Sequence, residues 1–227
     1  MKEQMNPEME ISLHEMVKKS PKVAKMFDAV VSLVGEGADI NTIKVSDITD
    51  RAGIGKGTAY EYFKTKEEII VKAILYDMES ILVKVDQELE KCSGFREKLE
   101  CVLEWIEKNF NGSHSFAPFL NICQGSYQIS ASLKTEMMRQ LKGYECVMQH
   151  GQILIEEGIR DGVLRKDLPM SMLTSAFTAS LAAFLFFLNW PEKEEGATNA
   201  KMKAFICDNF IRNCSEITCT AIFLNSS

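Results

Sequence analysis

Apolar side chains return every three or four positions along most of this chain, and runs alternating every second residue are scarce, so the pattern predicts helices almost throughout. The first clear stripe is Val23, Met26, Phe27, Val30, Val31 and Val34. A Ser20 cap and the proline at position 21 open it, and Gly35 and Gly37 close it. A shorter stripe, Val45, Ile48 and Ala52, runs into Gly53, where a helix must stop and the backbone favours positive φ. Ile54 then re-enters the core. Ala59 and Phe63 point the next short helix inward and leave Thr58, Tyr60, Glu61 and Tyr62 on its outside. Thr65 is the natural cap of a fourth helix, which carries Glu67 and Glu68 in its first turn and Ile69, Ile70, Ala73, Ile74, Ile81 and Leu82 on its buried side.

Beyond Gly94 the helical period continues. Leu99, Val102, Leu103 and Ile106 form one stripe, and a long one runs from Leu133 to Ile159. Between them, Gly112, Pro118 and Gly125 predict an irregular or broken helical region over residues 111–126. Residues 1–19, rich in Met and Glu and without clear periodicity, read as a flexible arm. A final helix is expected from about Asn199 to Asn213, with Met202, Phe205, Ile206 and Phe210 on one side. The fold class expected is all-α.

Residues 168–191 contain no charged side chain, and Phe177, Phe184, Phe186, Phe187 and Trp190 make this the most apolar stretch of the sequence. Such a helix is expected to bury nearly all its faces. A membrane span is one reading, since the length is close to the ~20 residues a bilayer requires. Against it stand Ser171, Thr174, Ser175, Thr178 and Ser180, the acidic neighbours Asp167 and Glu192, and the lack of a basic flank to set an orientation. A core helix that also packs on a second subunit accounts better for Ala176, Ala179, Ala182 and Ala183, which permit close helix approach. No membrane association is expected.

Charge narrows the picture. The chain of 227 residues carries a formal charge of −6, which argues against coating nucleic acid along its whole surface. Over residues 18–66, however, nine Lys/Arg stand against six Asp/Glu, a net +3 that leaves −9 elsewhere. Only the N-terminal module suits phosphates. The seven cysteines form no C-x-x-C pair and follow no signal peptide, so they read as reduced thiols of a cytoplasmic protein. Neither they nor His114 and His150 show metal-ligand spacing, and no metal or cofactor is expected. Catalytic motifs are absent too: GIGKGT lacks the G-x-x-x-x-G-K-[ST] spacing of a phosphate loop, so an enzyme is not expected.

The segment VSDITDRAGIGKGTAYEYFKTKEEI resembles the TetR family of bacterial repressors. The family signature runs hydrophobic-x-x-Ile-Ala-x-x-Ala-Gly-Val-Ser-x-Gly-Thr-hydrophobic-Tyr-x-Tyr/His-Phe-x-x-Lys-x-x-Leu, and the glycine turn, G-T-x-Y-x-Y-F and the following lysine fall at its spacing. The likeness covers roughly residues 20–75. It departs at Gly55, which replaces the usual serine cap, at Thr49, which replaces an alanine, and in a long connection from Gly35 to Thr42.

The resemblance implies an N-terminal three-helix helix-turn-helix domain over residues 20–66 and a C-terminal helical ligand-binding and dimerisation domain over residues 67–227. It implies a homodimeric repressor that reads a palindromic double-stranded DNA operator and is released by a small, hydrophobic or aromatic effector. The dimer would form through helices at about 170–190 and 199–213. Contacts carried over onto this chain are Lys44 and Ser46 at a phosphate, and Gly55, Lys56, Gly57 and Thr58 at the opening of the recognition helix. Lys56 would reach a guanine edge and Gly57 would allow close approach. Tyr60 and Tyr62 are expected as phosphate clamps, and Lys66 adds its charge to a helix dipole at the backbone. The effector wall would draw on Trp105, Phe110, Phe116, Phe119, Tyr127, Met137, Met138, Met148 and Phe177, although ordinary core packing explains most of these equally well. The competing reading is a helical adaptor or membrane-associated protein that keeps the module without reading DNA sequence.

Overall fold

In a computed structural model, residues 12–109 and 129–215 are described, and all their regular elements are helices. They are α1 (Leu13–Lys19), α2 (Pro21–Gly35), α3 (Val45–Ala52), α4 (Lys56–Tyr62), α5 (Lys66–Leu89), α6 (Phe95–Asn109), α7 (Ala131–Arg139), α8 (Leu141–Arg160), α9 (Met170–Leu188) and α10 (Asn199–Cys214). The chain divides into two compact units. One holds the described residues up to Asp77 together with Ile129–Gln140, and the other holds Met78 onward and Leu141 onward.

In the first unit, Ser20 Oγ accepts the Val23 N–H at 3.4 Å and Pro21 occupies the first turn of α2. Val23, Met26, Phe27, Ala29, Val30 and Val34 are buried along one side. Phe27 is central: its ring lies 5.8 Å from that of Phe63 and 5.6 Å from that of Tyr76. Full burial of each such side chain is worth about 1.5–3 kcal/mol. The flexible arm expected up to residue 19 is shorter than that. Ser12 caps α1 by accepting the Glu15 N–H at 3.2 Å, and the His14 ring lies 5.0 Å from Tyr76, so local capping and an aromatic neighbour order a helix with no buried stripe.

The second unit is built on the stripe of α6, where Phe95, Leu99, Val102, Leu103 and Ile106 are buried. Phe210 of α10 lies 6.1 Å from Phe95 and 6.0 Å from Phe177 of α9. Gly158 of α8 is needed for close packing, because a Cβ there would sit 2.7 Å from Phe95 and 2.8 Å from Leu164. Two sequence expectations require correction. The long helix from Leu133 to Ile159 is broken at Gln140, which ends α7 with its N–H on the Glu136 and Met137 carbonyls. Nor does α9 bury nearly all its faces, since Met172, Phe186 and the following Trp190 are 57%, 66% and 50% exposed. The irregular region expected over residues 111–126 lies outside the described residues.

Candidate nucleic-acid interface

The α3–α4 pair is set by backbone chemistry that its sequence makes obligatory. Lys44 is the N-cap of α3, and its N–H donates to Asp47 Oδ2 at 2.9 Å. Ile48, Thr49 and Ala52 are buried. Thr49, the departure from the family alanine, is tolerated because its hydroxyl donates to the Ser46 carbonyl at 3.2 Å, so no polar atom is stranded. At Gly53 the chain turns through φ 64° and ψ 39°, left-handed geometry that favours glycine, and the Ile54 N–H closes the turn on the Thr49 carbonyl at 3.0 Å.

The second helix of the pair begins at Gly55, an N-cap with no side chain to bond the following amides. It ends within two turns, when Phe63 goes extended at φ −134° and sinks into the core with 1% exposure. Ala59 is the buried contact of α4 itself. Around Gly55 and Gly57 a Cβ would meet nothing within 4 Å, so neither glycine is required by internal packing and both leave the helix opening bare. Lys56, Gly57, Tyr60 and Tyr62 are exposed, Tyr60 at 55%, and Thr58 is half-buried. The outcome is a short helix whose free N-terminal amides, one cation and two phenols share an outward surface, which suits an anionic partner.

Lys44 is exposed and Ser46 half-buried at the start of α3, as a phosphate contact requires. Lys66 is placed differently from a free clamp. Its Nζ donates to the Asn41 carbonyl at 3.2 Å and to the Ile43 carbonyl at 3.0 Å, so two of its three donors secure the turn before α3. Sequence reasoning also passed over Arg51. It ties the end of α3 to the end of α2 by donating Nη2 to Glu36 Oε2 at 2.8 Å and Nη1 to Ser32, and this hydrogen bonding holds the Glu36 carboxyl below its usual range. A basic residue near the end of a short helix was the available signal.

Of the expected effector wall, Phe110, Phe116, Phe119 and Tyr127 lie outside the described residues, as do the side chains of Met138 and Met148. Phe177 is buried against Phe210 and Gly151, which core packing explains. Trp105 is half-buried in the same unit, whereas Met137, also half-buried, belongs to the other. The Thr174 hydroxyl is buried without a hydrogen-bond partner, the one such side-chain atom among the described residues. No group of three or more metal-ligating side chains occurs among the described residues. Burial pushes the Cys207 thiol up to about 12 and raises Cys214 as well, which keeps both protonated and unreactive.

A model of the family described as bacterial regulatory proteins, tetR family, matches residues 38–73, the span that contains α3 and α4. The chain belongs to the tetR family. It is a transcriptional regulator with a helix-turn-helix. A curated relative, the fatty acid metabolism regulator protein of Bacillus subtilis, is 28% identical over 160 residues, covering 69% of this chain and 78% of that protein. In fold the chain is similar to the transcriptional regulator FadR from Bacillus subtilis, solved in complex with stearoyl-CoA. The TM-score is 0.62 at 20% identity, covering 83% of this chain and 97% of that one. The fatty acid degradation regulator FadR from Bacillus halodurans has a TM-score of 0.63 at 21% identity, covering 85% and 95%. These relatives of the tetR-family chain are regulators rather than enzymes.

Proposed function

We propose that this tetR-family protein is a homodimeric, cytoplasmic repressor that reads a palindromic operator with one α4 per subunit and releases it on binding a long-chain acyl-CoA. The observation that carries the reading is the bare, glycine-flanked opening of α4, which presents Lys56 and Thr58 to base edges while Lys44, Ser46, Tyr60 and Tyr62 lie ready for phosphates. The acyl-CoA class is favoured by the fatty-acid regulators among the relatives, one of them holding stearoyl-CoA.

Dimerisation through α9 and α10 is supported by what the second unit leaves outside. Met172, Phe186 and Trp190 recur along one side of α9 with the exposed Ala179 and Ala183 between them, and Phe205 of α10 is 62% exposed. By length and composition α9 is also apolar enough to cross a membrane. A partner subunit covers such a face without requiring a lipid, and a two-fold reader of two half-sites needs that partner.

The test is selection of bound sequences from a random DNA pool by the purified protein, followed by titration of the recovered site at several salt concentrations. A recurring palindrome whose affinity falls steeply with salt, about 0.9 logarithmic units per tenfold salt for each phosphate contacted, is the expected result. Weak binding without an enriched sequence would favour the adaptor reading.

A further inference from the structure

Polar contacts in the DNA-binding unit join the turn before α3 and the start of α5 to a segment from much farther along the chain. Ile129–Gln140 clusters with this unit, although the chain before it from Met78 and after it from Leu141 clusters with the other. At its start, the Ser130 N–H donates to Asn41 Oδ1 at 2.7 Å, and Ser130 is the N-cap of α7. One turn on, the Ser132 hydroxyl donates to Glu67 at 3.2 Å and Leu133 is buried. At its end, Arg139 donates to both Glu136 oxygens at 2.9 and 2.7 Å and lies 3.6 Å from the buried Glu68 of α5.

Asn41 connects that segment to the reading head. Its own N–H and its side-chain amide both donate to Asp39 Oδ1, at 3.0 and 2.9 Å, while its carbonyl is one of the two that hold Lys66. Ile43 carries the other, and the next residue is the N-cap of α3. A shift of Ser130 is therefore passed through one side chain to the turn that sets where α3 begins. Most of these attachments are hydrogen bonds and ion pairs at partly exposed groups, which water can replace at modest net cost. A fastening of that kind has an attached and a released state.

We propose that Ile129–Gln140 is a tether through which the C-terminal unit governs operator binding, with Asn41 and Arg139 as its positioning residues. The inference rests on the effector reading above and gives that effector a route to α3 and α4. Release of the tether lowers operator affinity, and an effector that favours the released state does the same.

The test titrates the selected operator with wild type, Asn41→Ala, Arg139→Ala and Arg139→Lys, each with and without stearoyl-CoA. Hydrogen exchange across residues 129–140 is followed in the free and operator-bound proteins. Stearoyl-CoA is expected to weaken wild-type binding by about 10-fold or more, within the usual ~5–150-fold range of coupling. The two alanine variants should cut that ratio to under ~3-fold, and Arg139→Lys should restore most of it. A merely structural role would lower thermal stability and leave the ratio unchanged. Operator binding is also expected to slow exchange across the segment in wild type but not in Asn41→Ala. Full release in both alanine variants, with wild-type exchange, overturns the tether. If stearoyl-CoA fails to release even wild type, the acyl-CoA reading falls and the exchange comparison decides alone: protection lost in Asn41→Ala supports the tether, and equal protection overturns it.

Discussion

Both units of this chain expose large apolar side chains, but they do so in opposite company. On α4, Tyr60 and Tyr62 carry hydroxyls and stand beside Lys56 and free helix amides, a mixture that water solvates and phosphates attract. On α9, Met172, Phe186 and Trp190 are separated by alanines and serine, with no charged residue along the helix. The first surface is stable alone and binds a polyanion reversibly. The second costs free energy until another apolar surface covers it, which makes it a permanent contact. Exposure of an aromatic residue therefore says little until its neighbours are known.

The largest effect should come from charging the apolar face. Phe186→Glu is expected to cost about 2–4 kcal/mol at the subunit contact, as at other interface anchors. Sedimentation should then report monomer and operator affinity should fall ~100-fold or more, each 1.4 kcal/mol being about tenfold. A dimer of wild-type affinity would show that something else covers α9. Next in size, Gly158→Ala forces a methyl against Phe95 and Leu164 and should lower stability by about 1–3 kcal/mol, seen as a reduced melting temperature.

On the other surface, Tyr62→Ala should weaken all operators alike, while Lys56→Ala should relax preference at one half-site position by about 1–3 kcal/mol. Wild-type selection profiles in both would remove α4 from the reading role. A smaller effect concerns acid. Burial pushes the Glu68 carboxyl up, but the Lys64 N–H, Lys72 and Arg139 outweigh it and leave the group below its ordinary 4.5. A carboxyl with a depressed folded value stabilises the protein above its unfolded value, and that contribution disappears as pH falls through the folded one. Melting curves should therefore decline below about pH 4.5 in wild type, and less steeply in Glu68→Gln. Smallest of all, Thr174→Val removes a buried hydroxyl that lacks a partner and should leave stability unchanged or raise it by up to ~1 kcal/mol.

Much of this was legible in the order of residues wherever the decisive interactions are local. The cap at Ser20, the turn at Gly53 and the stripes of α2, α3 and α6 follow from spacings of three or four positions, and all appear where the pattern places them. The association of Ile129–Gln140 with the N-terminal unit was not legible, because it depends on pairs such as Asn41 with Ser130, which lie 89 positions apart and have no period. The anchoring of Lys66 escaped for a related reason. A lysine beside a DNA-reading helix looks the same in sequence whether it holds a phosphate or the protein's own carbonyls. The break at Gln140 escaped as well, because the apolar spacing continues across it while the backbone does not.

The recognition helix is two turns long, below the length at which an isolated helix persists in water, and Phe63 closes it by diving into the core. Its shape is thus borrowed from residues that never meet DNA. A screen for mutants that have lost repression in the cell should therefore recover substitutions at Phe27 and Phe63 alongside those at Lys56 and Tyr62. Genetics alone would then map the operator contact as larger than it is.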